Sequence, residues 1–553
     1  MAIDNLTVRG PLPPGVKLDE NIYVTMRDGI KIVVDVYRPE AEGRYPALQS
    51  MSPYIKEIQQ HPPILTHSIE AGATGFFVPK GYVHVIASSR GSGLSQGQYN
   101  WYDTAEQQDG YDLCEWIAQQ PWCNGNVGMI GDSYFGRTQY LVAAQQPPHL
   151  KCIAPYDAGT DDYRDSRHRG GLLCTQFVGM WGYDTFRQCL WPGPVEGKLL
   201  PTSIFYNFAT NPEDGPYYWE RSGWTKIDKI KVPMLAIAPS QGVVHSRGQL
   251  WGYPKFNVPK KLIIAPPAGL LAHVLFIDSK PLNEQLLRWL DYWLKGIDTG
   301  IMDEPEVAIY DSATKEWRYE NEYPLARTKW TKFHLRSNPE GPSTEPPYGL
   351  ISMEPPEKES PDSFVIPDSI RLIATGQPVL AYATPPLKEN LRVWGPLSMI
   401  LYGSATTLDI VWFVKVADVA PDGQLTMISQ GHLKASFKEI DESKSLPGQP
   451  FHTFQNPVRP EPNKIYEYQI EMIPIFHTFE AGHKIWVQIA SDDFMFHMPL
   501  HTIYSSEVLP VPATNTVYHD SKYPSHLLLP IIPDEPIIKP VEPPVSEIKW
   551  PLH

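Results

Sequence analysis

Between Gly125 and Pro148 the chain reads GNVGMIGDSYFGRTQYLVAAQQPP. A short apolar run, Val127–Ile130, meets Gly131-Asp132-Ser133-Tyr134-Phe135-Gly136. A helical stretch follows and stops at Pro147-Pro148, where the missing N–H and the ring clash end a helix. A serine held between glycines at a sharp strand-to-helix turn is the pattern of a nucleophile elbow, which lifts the hydroxyl above the end of a strand. The pattern limits the fold, because a buried strand feeding a helix needs further parallel strands beside it.

The neighbouring segments supply them. GYVHVIA gives a strand over 82–87, DTAEQQDGYDLCEWIAQQ a helix with an acidic start, and LKCIAPYDAG a strand after the elbow helix. Strand, helix, strand, helix, strand predicts a parallel α/β sheet. Upstream, IYVTMRDGIKIVVDVYRP carries two alternating runs about an Asp-Gly turn, a hairpin signal. The pattern breaks near Thr160 and resumes at VPMLAIAPS and KKLIIAPP, followed by the amphipathic NEQLLRWLDYWLKGI. Residues 160–227 therefore read as a helical cap inserted between the two parts of an α/β domain, 1–159 and 228–302. From 303 to 553, runs such as EPEVAIYD and IYEYQIEMIPIFHTF, separated by Gly, Pro and Asp, predict an antiparallel sandwich or jelly roll with proline-rich connections. The 57 prolines, many of them in the last 250 residues, fit a loop-rich β region because aromatic and β-branched residues accompany them.

A net charge of −15 with no Lys/Arg-dense run argues against nucleic acid as a partner. No 18-residue apolar stretch and no signal-peptide pattern is present, and the five cysteines lack CxxC spacing. The expectation is a cytoplasmic chain with reduced thiols, no membrane span and no cofactor, acting on a small molecule, with a homodimer left open. RGSGLSQG lacks the lysine of a P-loop. His497 and His501 stand four apart, but the segment reads as a loop without a third ligand nearby, so no metal is expected.

RDGIKIVVDVYRP, SPY, RGSGLSQGQ, the elbow segment, RWLDYWLKGIDTGIMDEPEVAIY and TVYHDSKYPSHLLLPIIP together resemble the cocaine-esterase-like (CocE/NonD) hydrolases, related to X-Pro dipeptidyl-peptidases. The resemblance runs from about residue 20 to 535. It implies an α/β-hydrolase domain with inserted helical cap and C-terminal β jelly roll, and serine hydrolysis of esters or amides. It puts Ser133 at the nucleophile, the Tyr134 N–H at one oxyanion donor and the Tyr54 hydroxyl at another. The family's aspartate and histidine positions fall on Gly242 and Gly269, and ASSRGSG lacks the aspartate that the family often has before its R-G-x-G.

A serine without a base is a weak nucleophile. His245 and His273 lie three and four residues beyond the two glycines and are the candidate substitutes, His245 first. Tyr163, Trp181, Tyr183 and Trp191 are candidate pocket walls from the cap. Arg164, Asp165 and His168 read as a salt-bridged polar cluster, and Asp132 as a structural acceptor at the turn. Three functions stay open: an enzyme with a degenerate triad, repurposed for cyclisation, isomerisation, elimination or addition on a hydrophobic small molecule, with specialised metabolism as its setting by analogy; a serine esterase or amidase using a displaced histidine; and a non-catalytic small-molecule binder.

Overall fold

The computed structural model describes residues 12, 14–59, 70–242, 244–266, 279–311, 313–338, 349–366, 379–491 and 512–533. In chain order the first region contains β1 (Val16–Thr25), β2 (Lys31–Pro39), β3 (Tyr45–Ser52), α1 (Thr74–Phe77), β4 (Val83–Ser88), α2 (Thr104–Ala118), β5 (Cys123–Asp132), α3 (Ser133–Ala143) and β6 (Leu150–Tyr156). Next come β7 (His168–Arg169), β8 (Leu172–Leu173), α4 (Thr175–Leu190), α5 (Ile204–Ala209) and α6 (Pro216–Arg221). The sheet resumes with β9 (Met234–Pro239), α7 (Ser246–Gly252), β10 (Lys260–Ala265), α8 (Lys280–Leu290), β11 (Val307–Asp311) and β12 (Glu316–Glu320).

One sheet joins them in the order β1-β2-β4-β3-β5-β6-β9-β10-β11-β12. From β4 to β11 each neighbouring pair is parallel; the flanking pairs are antiparallel. A parallel sheet must be covered on both faces. Val127 and Met129 of β5 share one core with Leu113 and Ile117 of α2 and Val142 of α3, while Ile130 packs on the other side with Leu286, Trp289 and Leu290 of α8. The strand ends that carry β5 into α3 and β9 into α7 therefore lie at the same edge of the sheet with only β6 between them, where open α/β sheets bind ligands.

The chain between β6 and β9 folds as helices α4–α6, a turn of π-helix at Tyr163–Arg167 and the small β7–β8 hairpin. A thirteen-stranded β region follows between Lys329 and Ile531. The strand expected at EPEVAIYD forms as β11 but pairs in parallel with β10, and β12 pairs with β11. Two strands of 303–553 thus extend the first sheet before the chain enters the sandwich. Alternating side chains make a strand wherever the edge needs one; they do not say which sheet it joins. The cap is tied to the sandwich by Arg164 donating to the His452 carbonyl at 2.8 Å and by Gln455 donating to the Asp214 carbonyl at 2.8 Å. All five cysteines are buried thiols. No described helix is long and apolar enough to cross a membrane.

Candidate active site

The turn at the end of β5 puts Ser133 at φ 54°, a left-handed conformation that costs a non-glycine residue energy and recurs at functional sites. Its two glycines are steric necessities. A Cβ on Gly131 would lie 2.4 Å from Phe135 Cβ, and one on Gly136 would lie 2.7 Å from the Tyr156 carbonyl oxygen. Without them α3 could not seat against β6. Ser133 then opens α3, with the helix's unpaired N–H groups beside it.

His245 reaches this serine from the loop after β9, with Nε2 3.2 Å from Ser133 Oγ. That is the loop to which the family pattern assigns the aspartate. Gly242, where the resemblance puts the aspartate, has no space for a side chain: an added Cβ would sit 1.8 Å from Ser246 Oγ and 2.7 Å from Pro239 Cγ. Gly269 and His273 lie outside the described residues, as do His497 and His501.

The other imidazole nitrogen faces Arg137, which sequence reasoning missed. Arg137 Nε and one terminal nitrogen lie 3.1 and 2.9 Å from His245 Nδ1. Ser133 and Arg137 are i and i+4 on α3, so they share one helix face and hold the imidazole between them; that spacing was the available signal. Arg137 is 3% exposed and is held by Asp162, by Ser166 Oγ at 3.4 Å and by Asp165 at 3.8 Å. Burial pulls its guanidinium below the ordinary value, opposed by Asp165. Behind it lies a buried ionic network: Arg247 contacts Asp161 and Asp165 at 3.4 Å and Glu471 at 2.9 Å, and Arg164 contacts Asp161 at 2.9 Å and Asp214 at 2.8 Å. Burial pushes the Asp165 carboxyl up to about 7, while Asp161, despite burial, is held below the usual range by Arg164 and Arg247.

Tyr54 follows β3 and is buried; its hydroxyl accepts the Trp181 indole N–H at 2.7 Å, and its ring meets the Tyr134 ring edge-on at 5.7 Å. Burial, with the charge of Glu70, holds the hydroxyl far above the usual phenol range, so it keeps its proton as a donor. The Tyr134 ring stacks 4.1 Å from Tyr102, and its hydroxyl donates to Glu106 at 3.0 Å. Glu106 also accepts from Ser89 Oγ at 2.8 Å and from the Tyr102 N–H at 2.7 Å. Burial, with Asp103, raises its carboxyl to about 7.

The cap candidates separate. Trp181 joins Tyr54, whereas Tyr183 on the same helix is 65% exposed beneath Arg187. Tyr163 is cap core, stacked on His168 at 4.9 Å with its hydroxyl donating to the Pro212 carbonyl. Trp191 is half-buried just beyond α4, and Asp132 is fully buried at the elbow. Arg164 and Asp165 enter the ionic network separately; His168 leaves it for the aromatic stack, where burial lowers it to about 3.

Residues 28–268 match the X-Pro dipeptidyl-peptidase (S15 family) domain, and residues 299–528 match the X-Pro dipeptidyl-peptidase C-terminal non-catalytic domain. Cocaine esterase of Rhodococcus sp. (strain MB1 Bresler) is 27% identical over 93% of this chain and 98% of its own. A putative Xaa-Pro dipeptidyl-peptidase of Bacillus cereus is 24% identical over 86% of both chains. A CocE/NonD family hydrolase from Staphylococcus aureus has the same fold, with a TM-score of 0.82 at 22% identity over 93% of each chain.

Proposed function

We propose that this chain, which carries the S15-family domain and the C-terminal non-catalytic domain of X-Pro dipeptidyl-peptidases and the fold of CocE/NonD hydrolases, uses the hydrolase pocket for non-hydrolytic chemistry: cyclisation, isomerisation, elimination or addition on a hydrophobic small molecule. One observation carries this, the Arg137 guanidinium at His245 Nδ1. A guanidinium only donates hydrogen bonds, so Nδ1 must accept, and a neutral imidazole then carries its proton on Nε2. The 3.2 Å contact runs from Nε2–H to Ser133 Oγ. A triad needs the reverse: Nε2 takes the serine proton while an acceptor stabilises Nδ1–H. Here the imidazolium would press its Nδ1–H against two guanidinium N–H groups.

A site built this way donates. The Ser133 hydroxyl, fed by His245, the Tyr54 hydroxyl and the Tyr134 N–H can polarise a substrate carbonyl and stabilise an enolate-like oxygen. Such donors are worth roughly 3–4 kcal/mol each when preorganised. Holding a flexible substrate in one reactive fold supplies the rest of the rate.

The test is a fluorophosphonate probe read by intact mass, with Ser133→Ala beside it. The expected result is no adduct on the folded protein. Rapid labelling that disappears in Ser133→Ala would sink the proposal. It would support the second reading, a serine esterase or amidase, which the Ser133–His245 distance and the cocaine esterase relative favour.

A further inference from the structure

Arg167 is the last residue of the π-helical turn at the entrance to the cap, a local insertion that recurs at functional sites. It is 3% exposed. Its guanidinium lies 4.2 Å from the Trp181 ring centroid, 5.1 Å from Trp101, 5.2 Å from Phe208 and 5.7 Å from Phe177. Its nearest carboxylate oxygen, Asp162 Oδ1, stands 3.9 Å away and is already taken by Arg137.

The Nε and Nη1 groups of Arg167 are buried with no hydrogen-bond partner among the described residues, and so is Trp101 Nε1. Ring faces stabilise the cation but do not satisfy N–H groups that lie in the guanidinium plane. Buried charged donors left in this state are costly, and a native fold rarely keeps them without a use. Trp101 and Tyr102, moreover, are held at φ 30° and 53°, an unusual conformation for bulky residues. The box leads to the reaction centre through side chains already described: Arg167 over Trp181, Trp181 donating to Tyr54, Tyr54 against Tyr134 beside Ser133.

We infer that Arg167 recognises an acidic group, a carboxylate or an equally acidic enol, on a substrate whose aromatic or apolar body lies against Trp101 and Trp181. The guanidinium edge offers two donors to such an anion, and the rings hold the body. This deepens the proposed function and rests on its placement of the reaction centre at Ser133. An anion at Arg167 leaves the remainder of the molecule directed toward the donors at Tyr54 and Tyr134.

The experiment is calorimetric titration with 2-naphthoate and its neutral counterpart 2-naphthamide, on wild type, Arg167→Lys and Arg167→Gln, with thermal melts to confirm folding. Wild type should bind naphthoate about tenfold or more tightly than naphthamide. Arg167→Gln should bring the ratio near one while keeping naphthamide affinity, and Arg167→Lys should keep part of it. Equal affinities in wild type, no binding of either probe at about millimolar concentration, or a preference that survives in Arg167→Gln would overturn the inference. If Arg167→Gln does not fold, the wild-type ratio and the Lys variant decide. Repeating the titration in Ser133→Ala separates the two ideas. Fluorophosphonate labelling would remove the non-hydrolytic reading and leave the carboxylate preference standing; a ratio of one would remove Arg167's role while Ser133 stays unlabelled.

Discussion

The elbow after β5 and the loop after β9 meet where His245 Nε2 faces Ser133 Oγ, yet they differ in what each preserves. The elbow keeps its two glycines, its left-handed serine and the helix behind it. The loop after β9 has a crowded glycine, Gly242, where the resemblance puts the aspartate, and brings His245 to the serine. Approach geometry is kept, while on the proposed reading Arg137 sets the direction of the hydrogen bond. A serine–histidine distance alone therefore does not identify a general base. The group on the other ring nitrogen sets the tautomer, and with it whether the imidazole accepts or donates.

The largest effect should come from Arg137. Arg137→Gln offers Nδ1 a carbonyl acceptor, which turns Nε2 toward the serine proton. Fluorophosphonate labelling of Ser133 should accelerate by about a hundredfold or more, within the usual worth of a general base. The same variant should lose about 3 kcal/mol in urea unfolding, because Asp162 and Asp165 lose a buried partner. Unchanged labelling would break the contrast between elbow and loop.

Glu106 tests the elbow side. Its carboxyl sits at about 7 in the folded protein against 4.5 ordinarily, so the folded state holds a proton that the unfolded state releases. Its contribution to stability is complete below pH 4.5 and disappears as pH rises through about 7. Between about pH 5 and pH 8, wild type should lose about 2–3 kcal/mol relative to Glu106→Gln. Parallel pH profiles in thermal melts would refute this.

Gly242→Asp should fail to restore a triad. Crowding Ser246 and Pro239 should cost about 2 kcal/mol with no gain in labelling; a gain would mean the loop can still host the family's acid. The smallest effects come from the cap. Trp181→Phe should cost about 1 kcal/mol through the lost bond to Tyr54, whereas Tyr183→Ala should stay within about 0.5 kcal/mol.

That last pair shows where the sequence was readable. The elbow was legible because its signal is local: Gly131, Ser133 and Gly136 lie within one turn. The strand–helix alternation, the cap insertion and the strand-rich C-terminal half were legible for the same reason. Trp181 and Tyr183 were offered together as pocket walls, although residues two apart on a helix point about 200° apart, so at most one could face inward. His245 could be named a candidate because it lies near the aspartate position, but its reach to Ser133 depends on a loop path that no periodicity encodes. Arg137 looked like an ordinary helix residue, and Arg167 like one more charge in DDYRDSRHR. Only the fold shows that the first meets an imidazole and the second sits among rings. Likewise β11 was visible as a strand, while its pairing with β10 was a tertiary choice.

The most direct measurement is the protonation of the two His245 ring nitrogens, by long-range proton–nitrogen correlation NMR on protein with 15N-labelled histidine, assigned by difference against His245→Gln. The expected result is a neutral ring with its proton on Nε2 and an unprotonated Nδ1 facing Arg137. A proton on Nδ1 with a bare Nε2 toward Ser133 would contradict it, and would make His245 the base of a working hydrolase.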